Sequence, residues 1–162
     1  MSAAEKVCIW KYSPSAMAVE ISSVRCSRIS SAIRALVTMK GTAVTLSDTQ
    51  METYRTLPYA CIYLTSATGD SAYTGDSAYS ASQITGSSCS PNSAPPTSAT
   101  SASQTVSGPD GRVYRTDTYI VSTTPTGGRP LKKVTVVVRQ VKAGVVGSVL
   151  ARQASTFDQA QD

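Results

Sequence analysis

Three β-rich runs follow one another between Gly108 and Asp158, separated by two turn-rich breaks, and they constrain the fold more than any other feature of this chain. Arg112 to Ser122 alternates Val113, Arg115, Asp117, Tyr119 and Val121 with Arg112, Tyr114, Thr116, Thr118 and Ile120. Leu131 to Val141 is dense in valine, and Ser148 to Thr156 alternates more weakly. Runs rich in Val, Ile, Thr and Tyr and bounded by Gly and Pro are strand signals. Their short links favour an antiparallel meander, because parallel pairing needs a crossover of roughly a dozen residues or more. In the middle run Val134, Val136 and Val138 share one face, with Thr135, Val137 and Arg139 on the other. The even-numbered face is expected to point inward. Lys132 and Lys133 read as solvated strand residues.

Upstream, Ile29, Ile33, Leu36, Val37, Met39 and Val44 recur at spacings near three and four, which predicts a helix. Ser27, Ser30 and Ser31 supply candidate N-caps. Gly41 weakens such a helix without ending it. Pro58 stops it, because the residue before proline is driven out of the α region. A helix over 28–57 is about 45 Å long, a spine on which a sheet can pack. The expected fold class is α+β: a long N-terminal helix on a three- to four-stranded antiparallel sheet, with a long irregular loop between. Residues 1–27 are expected to be irregular, 65–111 to form the loop, 112–156 the sheet and 159–162 a tail.

The loop contains a tandem repeat, Gly69-Asp-Ser-Ala-Tyr-Thr followed by Gly75-Asp-Ser-Ala-Tyr-Ser, and then a Ser/Thr/Pro/Ala tract from Ser87 to Ser107. Two copies are too few for a solenoid. The tract has few large apolar groups with which to offset chain entropy. Tyr54, Tyr59, Tyr63, Tyr73 and Tyr79 are expected to brace this loop against the helix, each joining an apolar body to a polar tip. Gly108-Pro109-Asp110-Gly111 reads as a turn delivering the chain into the first strong strand.

The chemistry is sparse. With no histidine among 162 residues, Ser-His-Asp and Cys-His catalysis is excluded. No Gly-rich phosphate loop, GxSxG elbow or HExxH is present. Asp48 and Glu52 lie one helical turn apart, but their surroundings read as a solvated helix face rather than a glycosidase pair. Asp70, Asp76 and Asp110 lie in oxygen-rich loops of the kind calcium uses, without EF-hand spacing. No catalytic, cofactor or metal residue is expected. Cys8, Cys26, Cys61 and Cys89 form no CxxC. Cys61 and Cys89 bracket the loop and are either a disulfide or two buried thiols. The net charge of +5 is split between Lys6–Arg55 and Arg112–Arg152, with no aromatic-laced basic cluster, so a nucleic-acid partner is not expected. No run of apolar residues is long enough to span a membrane.

The segment Ala43-Val-Thr-Leu-Ser-Asp-Thr-Gln-Met-Glu-Thr-Tyr-Arg-Thr-Leu-Pro-Tyr59 resembles the stretch that follows the membrane helix in type IV pilin-like proteins of actinobacterial type. Gly111 to Val121, Lys132 to Arg139 and Leu150 to Phe157 are similar to their C-terminal sheet. The resemblance covers about Leu36 to Asp158. It implies a non-enzymatic structural subunit, a minor pilin or pseudopilin, whose partners are other pilin or pseudopilin subunits at the cell surface or outside the cell. The front departs from the family: Arg25, Arg28, Arg34 and Lys40 lie where its apolar anchor stands. Charges at bilayer depth oppose insertion. The membrane is therefore a partner only through an N-terminal anchor that this sequence does not contain. The alternative is a soluble binding or adhesion module that makes contact through its Tyr/Ser/Gly/Asp-rich loop.

Overall fold

A computed structural model describes residues 23–86, 89–90, 95 and 100–159, with backbone alone for 23–30. The chain divides into two compact units, residues 1–37 and 38–162. Helix α1 runs Ser23–Arg55, 33 residues and about 50 Å long. It begins ahead of the expected position 28, so residues 23–27 are helical rather than irregular; residues 1–22 and 160–162 lie outside the described residues. Thr45, Thr49 and Thr53 each return a hydroxyl hydrogen bond to the carbonyl four residues back. Past Arg55 the amides of Thr56 and Leu57 bond three residues back, to Thr53 and Tyr54, and Pro58 ends the turn.

The face of α1 that packs is Ala43, Ser47, Gln50, Met51 and Tyr54. This corrects the periodic reading, because Ile33, Leu36, Val37 and Val44 are exposed. Hydropathy spacing finds bulky apolar residues. The packed stripe mixes small and polar side chains (Ala43, Ser47, Gln50) with the large Met51 and Tyr54. Gln104 donates to the Gln50 carbonyl oxygen at 2.8 Å, tying the helix to the sheet.

The sheet is four-stranded with order β1-β2-β3-β4, every neighbour antiparallel: β1 Ser103–Ser107, β2 Val113–Thr123, β3 Leu131–Lys142 and β4 Val145–Asp158. The overall α+β order matches the expectation from sequence. β1, however, lies inside the tract expected to be loop. The β3–β4 connection is two residues, Ala143 and Gly144, both at positive φ, as a type I′ hairpin turn requires.

Thr116, Thr118, Ile120, Val134, Val136 and Val138 lie on the face toward α1. The even-numbered face of β3 is buried as expected, and the opposite face is buried too: Val137 is as fully buried as Val136, and Thr135 and Arg139 are buried beside it. A second layer of chain covers it. Lys132 is also buried. Its ammonium donates to the carbonyls of Tyr59 and Ile62 at 2.7 and 2.9 Å and stands 4.4 Å from the Tyr59 ring centre. The reading of Lys132 as a solvated residue is therefore corrected, while Lys133 is exposed.

The turn Gly108–Gly111 is closed by the Gly111 amide on the Gly108 carbonyl at 3.0 Å, with Gly111 at φ +72°. Gly108 is wedged between helix and sheet. A methyl group there meets Tyr114 Cε2 at 2.7 Å, Asp110 Oδ1 at 2.7 Å and Thr42 Cγ2 at 2.9 Å. Gly108→Ala is expected to destabilise the domain by about 1–3 kcal/mol through overpacking. Urea unfolding of the variant measures it, and a midpoint unchanged from the parent contradicts the wedge.

Candidate functional site

The second layer is the tandem repeat itself. In each copy the aspartate folds the chain back on itself. Asp70 Oδ1 accepts from the amides of Ala72 and Tyr73 at 2.8 and 3.2 Å, capping the single turn α2, Ser71–Thr74. Asp76 Oδ1 accepts from the Ala78 amide at 2.8 Å, six residues on and in the same relation. Short acidic side chains favour such local bonds. Tyr73 inserts between the copies and the sheet. Its ring stacks on that of Tyr119 at 4.4 Å, and Tyr79 meets it edge-on at 5.9 Å. The Tyr73 hydroxyl donates to the Thr118 carbonyl at 2.7 Å, and the Tyr119 hydroxyl donates to the Tyr73 carbonyl at 3.1 Å. Tyr73 thus braces the repeat against the sheet, not against the helix as expected. Tyr54 is buried on α1, Tyr59 and Tyr63 are half-buried, and Tyr79 is exposed.

Under this strap the two aspartates meet the sheet's arginines. Arg115 Nη1 bonds Asp70 at 3.0 Å, and its Nε bonds Asp117 Oδ1 at 2.7 Å. Arg139 bridges Asp117 Oδ2 and Asp76 Oδ2. Arg152 Nη2 reaches both oxygens of Asp76 at 2.9 Å. The order Asp70–Arg115–Asp117–Arg139–Asp76–Arg152 alternates sign along its length and cancels formally. Register explains the alignment: Arg115 faces Arg139 across β2 and β3, and Asp117 and Arg152 both face Val137. Burial alone pushes the Asp76 carboxyl up, but the Ala78 amide and the Arg152 and Arg139 guanidiniums outweigh it and hold it below the usual carboxylate range. Asp70 is held low in the same way, burial being outweighed by the Ala72 amide and Arg115.

Depressed carboxyl pKa values make the strap acid-sensitive. Their contribution is complete above the unfolded-state value near 4 and is lost as pH falls through the lower folded-state values. Unfolding free energy measured from pH 6 to pH 2 is expected to be level above about pH 4 and to fall below it. A flat profile contradicts the pairing. At the alkaline end, burial followed by the neighbouring Asp117 and Asp76 pushes the Tyr119 hydroxyl up to about 12. Burial likewise raises Tyr54 to about 12, against the opposing pull of Gln50 and Thr118. Stability from these hydroxyls is complete below the unfolded value near 10 and is lost as pH rises toward 12.

Of the acidic residues singled out in the sequence, Asp70 and Asp76 join the one ladder, while Asp110, Asp48 and Glu52 stand apart from it. Asp110 belongs to the Gly108 turn, where it accepts from the Arg112 amide at 3.2 Å, Arg112 Nη1 at 2.9 Å and the Tyr114 hydroxyl at 2.6 Å. The Tyr114 bond and then, against burial, the Arg112 bonds hold its carboxyl low. Asp48 and Glu52 are exposed, and Glu52 pairs with Arg55. Among the described residues no three metal-ligating side chains surround one point. No described helix is long and apolar enough to cross a membrane. Cys61 and Cys89 are joined as a disulfide, Cα to Cα 4.7 Å, enclosing the whole repeat. Sequence reasoning passed over Arg115, Asp117 and Arg139 as carriers of structure. The available signal was two opposite charges, at 115 and 117, on one face of a run otherwise fit for burial. No family model, curated protein or solved structure matches this chain.

Proposed function

We propose that this chain is a non-enzymatic structural subunit, a minor pilin or pseudopilin of a type IV pilus or related secretion machine. The observation that carries the reading is α1. It is a 33-residue helix on which the bulky apolar side chains Ile33, Leu36, Val37 and Val44 stand exposed while Ala43, Ser47, Gln50, Met51 and Tyr54 pack. Apolar side chains repeating along one helix are what a helix-packed assembly uses. The antiparallel meander that follows α1, the strap clamped on its second face and the enclosing disulfide suit a rigid module displayed in an oxidising environment. The ordered side chains of the strap serve packing.

The test is to fractionate cells of the native host, shear the surface, and analyse the sheared fibres and membranes by mass spectrometry. The reading expects this chain in the fibre or membrane fraction, with α1 cross-linking to helices of other subunits. Recovery only as a free monomer, with no cross-link through residues 33–44, overturns it and favours the soluble binding module. For that second reading the contact surface is not the free loop pictured from sequence, because Tyr73 and Asp76 are buried.

A further inference from the structure

Beside Ser77 and Ala78 of the strap, the second face of the sheet opens into a groove of about 330 Å³. We propose that this groove binds a small hydroxylated carboxylate, the size of one acidic sugar. Its lining includes Lys133, Arg152, Ser77, Tyr119, Thr123 and Thr135. Register fixes their placement. Thr135 lies between Tyr119 and Ala154, Lys133 faces Val121 and Thr156, and Arg152 faces Val137. Lys133 and Arg152 are therefore four strand positions apart, about 13 Å along the sheet. Between them the small Thr135 and Ala154 keep the floor low.

Two cations line the groove: Lys133, which holds no ion pair among the described residues, and Arg152, which is paired with Asp76 but partly exposed. The six-membered ladder is neutral in itself, three arginines against three aspartates. Arg152 gives Nη2 to Asp76, yet its side chain is 37% exposed where it borders the groove. Lys133 is exposed and holds no ion pair among the described residues. Among the described residues no carboxylate lines the groove. Lysine and arginine only donate, so they select an acceptor-rich anion. Ser77, Thr123 and Thr135 carry hydroxyls that both donate and accept, which suits a ligand bearing hydroxyls of its own. Val121 and Ala154 add apolar surface for the carbon face of a ring. A volume of this order matches the lower range of small-molecule sites. The inference stands apart from the proposed assembly role, since it concerns the isolated domain in solution.

The test uses the full, disulfide-bonded chain labelled with nitrogen-15. Amide spectra are followed while glucuronate, glucose or sulfate is added at constant ionic strength. Glucuronate is expected to give saturable shifts at Lys133–Thr135, Ala154 and Ser77–Ala78, with no saturable response to glucose or sulfate. Lys133→Gln, an exposed substitution that leaves the core intact, is expected to weaken binding roughly tenfold, the loss of one charge-assisted hydrogen bond. Lys133→Arg is expected to keep it. An absent glucuronate response, an equal response to sulfate or glucose, or a Lys133→Gln affinity equal to the parent's overturns the proposal.

Discussion

Asp117→Ala is expected to remove about 3–5 kcal/mol of stability, a large share of what a domain of this size has to lose. Asp117 is completely buried and is the central carboxylate of the ladder, bonded to Arg115 on one side and Arg139 on the other. Its removal leaves two nearly buried guanidiniums facing each other across β2 and β3 without the anion between them. An uncompensated buried charge is far more costly than the pair is stabilising. Arg115 keeps Asp70 and Arg139 keeps Asp76, so each guanidinium loses one of its two carboxylates. The double variant Asp117→Ala/Arg139→Met is therefore expected to recover part of the loss, because it also removes one of the two cations left under-compensated. Urea unfolding of both variants measures this. A single-variant loss under about 1 kcal/mol, or a double variant that is strictly additive, contradicts the buried ladder.

Removing the disulfide by Cys61→Ser/Cys89→Ser is the second large effect, an expected loss of about 3–4 kcal/mol for a closed loop of this length. The bond joins residues 28 positions apart, and everything between them, strap included, is tethered at both ends. Without it the unfolded chain regains the conformational freedom of that loop, while the folded chain still has to order the strap. The parent protein treated with reductant should match the double serine variant in its unfolding midpoint. Equal midpoints for oxidised and reduced protein contradict the account.

Much of the fold was legible because the β-rich runs state their own periodicity, and β2, β3 and β4 lie over the segments that Arg112–Ser122, Leu131–Val141 and Ser148–Thr156 marked. Helix α1 was legible from Pro58 and the spacing of its apolar residues, although the packed stripe was not. Ala43, Ser47 and Gln50 carry little hydropathy signal, and their burial depends on partners such as Gln104, which lies 54 residues away. The strap was missed for a similar reason. Gly69–Ser80 has the composition of a loop, and only its pairing with arginines on β2, β3 and β4 turns it into a layer. The face of Val137 was misassigned with it, since a strand covered on both sides loses the alternation that distinguishes inside from outside. Lys132 misled by type: its ammonium is buried on two carbonyls that belong to a turn distant in sequence.

The central structural claim is that the tandem repeat is a folded layer clamped to the sheet. Hydrogen exchange of the amides of Tyr73, Gly75 and Ile84, each bonded within the strap or to β2, tests it most directly. The account predicts that they exchange slowly, through the same opening that releases β2 and β3, and become fast when Asp117 is replaced by alanine. Exchange at the rate of unstructured chain in the parent protein would contradict it.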